Sequence, residues 1–214
     1  MNPELGWPRR GLYLITPDEP DTLRLMDRVG AVIAAGPVLV QYRNKAADAA
    51  QRREQAGQLL ALCRASGVPL VINDDWRLAA ELGADGAHLG DDDGSLAQAR
   101  EALGPRAILG ASCYDDLERA RRAAQAGASY LAFGAFFPSG TKPLARRASP
   151  SLLEASAAFG LPRVAIGGIT PDNAPLLAAA GADLVAVIGG VFDAPDPAAA
   201  ARAIRDAFAP LSHE

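Results

Sequence analysis

Cysteine and histidine are scarce in this chain, with two of each in 214 residues. Cys63 and Cys113 are too few to build a cysteine-ligated metal cluster. Free thiols in a reducing compartment are expected rather than a disulfide. A basic excess is also missing. Lys and Arg number 21 against 25 Asp and Glu, for a net charge of −4, which argues against a general nucleic-acid binder. No segment approaches the roughly 20 uninterrupted apolar residues of a membrane helix. The opening MNPELGWPRRG lacks the apolar run of a signal peptide. No low-complexity linker divides the chain. These absences lead to the expectation of one domain over 1–214, soluble and cytoplasmic, with no nucleic-acid or membrane partner and an oligomeric state left open.

What is present is a core-forming composition, 50% hydrophobic, punctuated by glycine. Gly36, Gly67, Gly83, Gly104, Gly127, Gly160 and Gly181 each follow an Ala/Leu/Arg-rich stretch and precede a short apolar run. Glycine past a helix end supplies the left-handed residue that stops it. The runs Val38–Gln41, Leu70–Ile72, Gly86–Leu89, Ala107–Leu109, Tyr130–Phe133, Val164–Ile166 and Leu184–Ile188 read as buried strands, and Leu12–Ile15 precedes them. They are short and do not alternate strictly, as parallel strands covered on both faces should be. The segments starting at Gly83, Gly127 and Gly181 repeat one helix-end-to-strand template. An open doubly wound sheet uses the same grammar, but eight strands in this length favour a closed (β/α)8 TIM barrel. Helix starts are expected at the capping box Asp115–Glu118 and at Ser149-Pro150 and Thr170-Pro171.

A parallel barrel opens all its strand C-termini on one face, where chemistry collects. The residues that follow the strands are therefore the candidates. They are Gln41-Tyr42-Arg43-Asn44-Lys45, Asn73-Asp74-Asp75, His88 to Asp93, Ala111-Ser112, Pro138-Ser139-Gly140-Thr141-Lys142, Gly167-Gly168 and Gly189-Gly190. Arg43, Lys45 and Lys142 suit phosphate oxygens. Asp74 and Asp93 are hard donors suited to Mg²⁺, which takes one or two carboxylates plus substrate phosphates. The glycine pairs leave amides open at helix starts, as in a barrel phosphate cup. Together they suggest two phosphorylated groups, one of them metal-bound. Pro138 to Arg147 is the longest loop candidate.

At these residues the sequence resembles the thiamine-phosphate synthase family. The matching segments are QYRNK (Gln41–Lys45), IND (Ile72–Asp74), HLGDDD (His88–Asp93), GAS (Gly110–Ser112), FPSGTK (Phe137–Lys142), AIGGIT (Ala165–Thr170) and GADLVAVIGG (Gly181–Gly190). The resemblance spans about Leu12 to Phe208. It implies a Mg²⁺-dependent transferase that joins 4-amino-2-methyl-5-(diphosphooxymethyl)pyrimidine to 4-methyl-5-(2-phosphooxyethyl)thiazole, or its carboxylated tautomer. The products are thiamine phosphate and pyrophosphate. It also implies that Gln41, Tyr42, Arg43, Asn44, Lys45, Asn73, Ser112 and Lys142 contact the pyrimidine pyrophosphate, with Arg43, Lys45, Ser112 and Lys142 carrying catalysis. Asp74 and Asp93 would ligate Mg²⁺, and Ser139, Gly140, Thr141, Gly168, Ile188 and Gly189 would hold the thiazole phosphate. The chain departs from the usual family residues at Tyr42 (Leu), Asp91 (Gln), Ala135 (Pro), Ser139 (Thr) and Gly189 (Ser).

The attacking thiazole nitrogen already carries a lone pair, so the absence of a Ser-His-Asp or Cys-His constellation fits this chemistry. A thiazole tautomerase of the same fold would be expected to carry a His near Ala135 and to dispense with the pyrophosphate residues. A sugar-phosphate or tryptophan-pathway barrel would be expected to show a Lys–Glu acid/base pair on its strands. A non-catalytic precursor-binding barrel is the third alternative. His88 and Trp76 read as packing residues, Cys113 as a small buried filler, and Phe133, Phe136 and Phe137 as barrel or rim packing.

Overall fold

Eight parallel strands close edge to edge in the computed structural model, which describes residues 10–90, 93–138 and 147–209. In chain order they are β1 (Gly11–Ile15), β2 (Leu39–Tyr42), β3 (Leu70–Asn73), β4 (Gly86–Leu89), β5 (Ile108–Tyr114), β6 (Tyr130–Gly134), β7 (Arg163–Ile166) and β8 (Leu184–Val187). Each pairs with its sequence neighbours, and β8 returns to β1 with Gly11 opposite Leu184. The helices are α1 (Thr22–Ile33), α2 (Ala49–Ala65), α3 (Trp76–Leu82), α4 (Leu96–Leu103), α5 (Leu117–Gln125), α6 (Ser151–Ala155), α7 (Ala174–Ala179), α8 (Gly189–Phe192) and α9 (Pro197–Asp206). The expected (β/α)8 barrel is therefore the observed fold. All seven helix-ending glycines have positive φ.

Strand alternation sorts the apolar residues into two cores. Tyr13, Ile15, Leu39, Val71, Ile108, Tyr130, Val164 and Leu184 fill the barrel interior. Their neighbours Leu12, Leu14, Val40, Leu70, Ile72, Leu109, Leu131, Ala165 and Val185 pack outward under the helices. Full burial of such aliphatic side chains stabilises by about 1.5–3 kcal/mol each. Truncating the fully buried Leu131 to Ala should cost about 2–5 kcal/mol.

Local chemistry starts the helices. Asp21, Asp48, Asp75, Ser95 and Asp196 each accept from an amide of the first turn. The cap of α5 is Asp116 rather than Asp115. It accepts from the amides of Glu118 and Arg119 at 2.8 and 3.1 Å. Thr170 does not start α7, because Asn173 takes the Thr170 amide at 2.9 Å and closes a turn before the helix begins. Helix α6 begins at Ser151 with Pro150 rather than Ser149 in the cap position, and Ser149 accepts from the Ser151 amide at 3.4 Å. Strand β5 runs well past the expected Leu109, and its register against β6 shifts between Ser112 and Tyr114. The face opposite the site is tied by Arg163 to Asp183 at 2.9 Å and by Arg100 to the carbonyls of Gly104, Ala107 and Gly127.

Candidate active site

Strand alternation decides which residues of the Gln41–Lys45 segment reach the open face. Gln41, Arg43 and Lys45 line a cleft of about 1300 Å³ over the strand C-termini. Tyr42 and Asn44 face the other way. The Tyr42 hydroxyl donates to Gln55 Oε1 at 2.9 Å, and Asn44 Nδ2 donates to Gln55 Oε1 and to the Glu19 carbonyl. Both are buried under α2. The expected substrate contacts of Tyr42 and Asn44 are thus corrected to a supporting position. Arg43 is clamped through its backbone: its amide donates to Thr16 Oγ1 at 2.8 Å and its carbonyl accepts from the same hydroxyl at 2.7 Å. Asp18 then receives the Arg43 guanidinium at 3.0 and 3.1 Å and the Lys45 amide at 2.7 Å.

The two candidate metal carboxylates meet beside these cations. Asp74 adopts a left-handed backbone, φ 63°, a conformation Asp tolerates better than most residues. Its amide donates to the His88 carbonyl at 2.8 Å, and its Oδ2 lies 3.5 Å from Lys45 Nζ. Asp93 receives the Gly90 amide at 2.8 Å. Burial raises the Asp93 carboxyl above the usual range, the Gly90 amide pulls it down, and a hydrogen bond shared with Asp74 raises it again. Two carboxylates this close require a proton or a cation between them. A divalent ion that keeps water and phosphate ligands fits the pair. Among the described residues no cluster of three or more His, Cys, Asp or Glu offers a fuller protein cage.

Beneath this wall lies a polar floor. Gln41 Nε2 donates to Asn73 Oδ1 at 2.6 Å, and Tyr13 donates to Gln41 Oε1 at 2.9 Å. The Tyr13 and Tyr130 hydroxyls are 2.7 Å apart. His88 spans from Tyr130 at Nδ1 to Ser112 Oγ at Nε2, both 2.9 Å. Burial pushes the His88 imidazole down to about 4 and pushes both tyrosine hydroxyls up. His88 is buried as expected, yet both ring nitrogens are used.

The opposite wall is backbone. Gly167 and Gly168 have φ of 103° and 63°. A side chain at Gly168 would collide with the Pro138 carbonyl and with Phe137. Asn173 Nδ2 holds the Gly168 carbonyl at 3.0 Å. Ile188 precedes Gly189 and Gly190 at the start of α8, where the first amides have no intrahelical acceptor. Gly168, Ile188 and Gly189 line the same cleft as Arg43, Asp74, Asp93 and Ser112. Ser139, Gly140, Thr141 and Lys142, together with Asp91, lie outside the described residues.

A family model described as thiamine monophosphate synthase matches residues 12–191. The chain belongs to that family. A thiamine-phosphate synthase of Xanthomonas campestris pv. campestris is 59% identical over 201 residues, 93% of this chain and 96% of the relative. One from Xylella fastidiosa is 53% identical, covering 97% and 88%. A solved thiamine phosphate pyrophosphorylase of Pyrococcus furiosus superposes with a TM-score of 0.82 at 32% identity, covering 94% and 96%. Members of this family are enzymes, transferases by class.

Within this synthase fold, several residues of the site carry no motif in the local sequence. Tyr13, Tyr114 and Arg119 line the cleft, with the Arg119 guanidinium 5.0 Å over the Tyr114 ring. Tyr130 lies beneath the cleft against Tyr13 and His88, and Asp18 stands behind Arg43 and Lys45. The alternation of strand residues was the usable signal for the tyrosines. It was also the signal against Tyr42.

Proposed function

We propose that this synthase joins the pyrimidine pyrophosphate to the thiazole phosphate, releasing pyrophosphate and forming thiamine phosphate. One observation supports it most. A wall of cations and paired carboxylates faces a wall of glycine backbone across a single cleft. The first wall suits a departing pyrophosphate, and the second suits a phosphate that is only held. In the reaction the C–O bond at the pyrimidine methylene breaks and its electron pair leaves with pyrophosphate. The thiazole nitrogen lone pair then forms the new C–N bond.

Asp74 and Asp93 would hold Mg²⁺, which neutralises charge on the leaving oxygens when bound. Arg43 and Lys45, with Lys142, neutralise the remaining charge. Asp18 fixes the position of the Arg43 guanidinium. Ser112 and Asn73 meet the pyrimidine side of that substrate. Gly168 and the Ile188-Gly189 backbone, with Ser139, Gly140 and Thr141, bind the thiazole phosphate. The nitrogen nucleophile needs no general base. Phosphorylated precursors do not cross membranes freely, so the cytoplasm is the compartment we assign. The described residues contain no helix long and apolar enough to cross a membrane.

Mixing both substrates with Mg²⁺ should yield thiamine phosphate and pyrophosphate in equal amounts, and chelation should stop both. Product formed at full rate in excess chelator would remove Mg²⁺ from the reading. No product under any condition would remove the activity.

A further inference from the structure

The polar floor is one continuous line of hydrogen bonds from β3 across the barrel to β5, and it has a direction. Tyr13 has a single hydroxyl proton and gives it to Gln41 Oε1. Its 2.7 Å contact with Tyr130 must then be made with the Tyr130 proton. The Tyr130 oxygen is left to accept, so the proton on the His88 ring sits on Nδ1. The ring is buried with an uncharged hydroxyl on each nitrogen, so it carries only that one ring proton. The bare Nε2 therefore accepts from the Ser112 hydroxyl. Running the line backwards would turn the Asn73 carbonyl toward a cleft that takes an anion. The observed direction leaves the Asn73 amide nitrogen there instead.

Packing is arranged around this line. The Tyr13 and Tyr130 rings meet edge to face with centroids 5.7 Å apart, and His88 stacks on Tyr130 at 5.6 Å. A side chain at Gly110 would fall inside the Tyr130 ring and against His88 Nδ1. Only glycine at that strand position lets the two rings meet.

We propose that this line makes Ser112 an obligate hydrogen-bond acceptor, so that the synthase selects a pyrimidine presenting an exocyclic amine, with His88, Tyr130 and Tyr13 as positioning residues. The inference rests on the reading that Ser112 meets the pyrimidine. With its proton committed to His88, Ser112 offers the cleft lone pairs only. A ring amine donates to them, whereas a ring carbonyl at the same place meets lone pair against lone pair. As the methylene carbon becomes cationic, charge spreads onto the amine and its N–H groups become stronger donors. The contact therefore strengthens in the transition state.

Two measurements test it on the full chain. The protein has only two histidines, His88 and His213, so [15N]histidine labelling gives a simple spectrum, assigned by loss of signals in His88→Gln. The expected result is a protonated Nδ1 and a bare Nε2; a protonated Nε2 overturns the direction of the line. The second measurement compares inhibition by the 4-amino and 4-oxo forms of the pyrimidine methyl monophosphate, which has a poor leaving group. The wild type should prefer the amine. Tyr130→Phe keeps the ring stack and removes the acceptor of the His88 proton, so the preference should fall about tenfold while inhibition by pyrophosphate stays unchanged. Should Tyr130→Phe fail to fold, Tyr13→Phe cuts the same line one step earlier with the same expected outcome. A preference that survives the cut overturns the proposal. A preference that survives Ser112→Ala overturns it through the placement of Ser112, and the tautomer measurement shows separately whether the line itself stands.

Discussion

On the proposed function, the two walls of the cleft solve the same problem, holding phosphate, by different means. On the β2–β5 side the strand ends carry long charged side chains and two carboxylates. Each is steadied by a neighbour: Arg43 by Asp18, Lys45 by Asp74, Asp93 by Gly90. On the β7–β8 side the functional surface is the main chain itself, shaped by Gly167, Gly168, Gly189 and Gly190. The difference matches the chemistry. Pyrophosphate would gain charge as its bond breaks, and cations already held in place would stabilise that charge without rearranging. The thiazole phosphate would be a handle whose charge does not alter, and fixed amides hold such a group at little cost in side-chain entropy.

The contrast can be broken by mutation. Arg43→Ala should lower kcat by about 10²–10³-fold with little change in the KM for the thiazole phosphate. Steady-state kinetics in both substrates would show it, and a change confined to the thiazole KM would reverse the assignment of the walls. The polar floor gives the next effect. Unfolded His88 titrates near 6.5 and the folded imidazole near 4, so protonation favours unfolding. That contribution to stability is complete above about pH 6.5 and is lost as pH falls toward 4, by about 3 kcal/mol in all. Denaturant midpoints at pH 7 and 4.5 should separate wild type from His88→Gln, and parallel losses in the two would sink the idea. Asp93→Ala should raise the Mg²⁺ concentration needed for half-maximal rate by about 10–100-fold, while an unchanged Mg²⁺ titration would exclude it as a ligand. Gly189→Ala is expected to have the smallest effect, about 1 kcal/mol or less, because the added methyl meets only the carboxylate end of the Asp193 side chain. It should be read mainly as a higher KM for the thiazole phosphate, and a pyrimidine KM that rises instead would contradict the backbone wall.

Much of the fold could be read directly. The helix-ending glycines, the strand count and the order of polar strand ends follow from local rules, and the structure repeats them with small changes of boundary. The errors have local causes too. Asp116 displaced Asp115 as a cap because its carboxylate reaches two amides at once. Strand β5 outran the expected Leu109 because Ser112 and Tyr114 continue it with polar character. Tyr42 and Asn44 share the segment whose resemblance implies substrate contacts, although a two-residue period turns them away from Arg43. The floor was not legible. Tyr13 and Tyr130 stand 117 residues apart in sequence, and nothing near either one announces the other.

By itself the sequence determined the inventory: eight short apolar runs, glycine at the helix ends, and cations, carboxylates and paired glycines after particular strands. These are short-range matters, set by backbone propensity and by which side chains tolerate burial. Tertiary structure alone decided orientation and meeting. Closure of β8 on β1 chose which alternate residues face inward. It also brought Asn73, Gln41, Tyr13, Tyr130, His88 and Ser112 into one line, because hydrogen bonds depend on distances of a few ångströms that only the closed barrel sets.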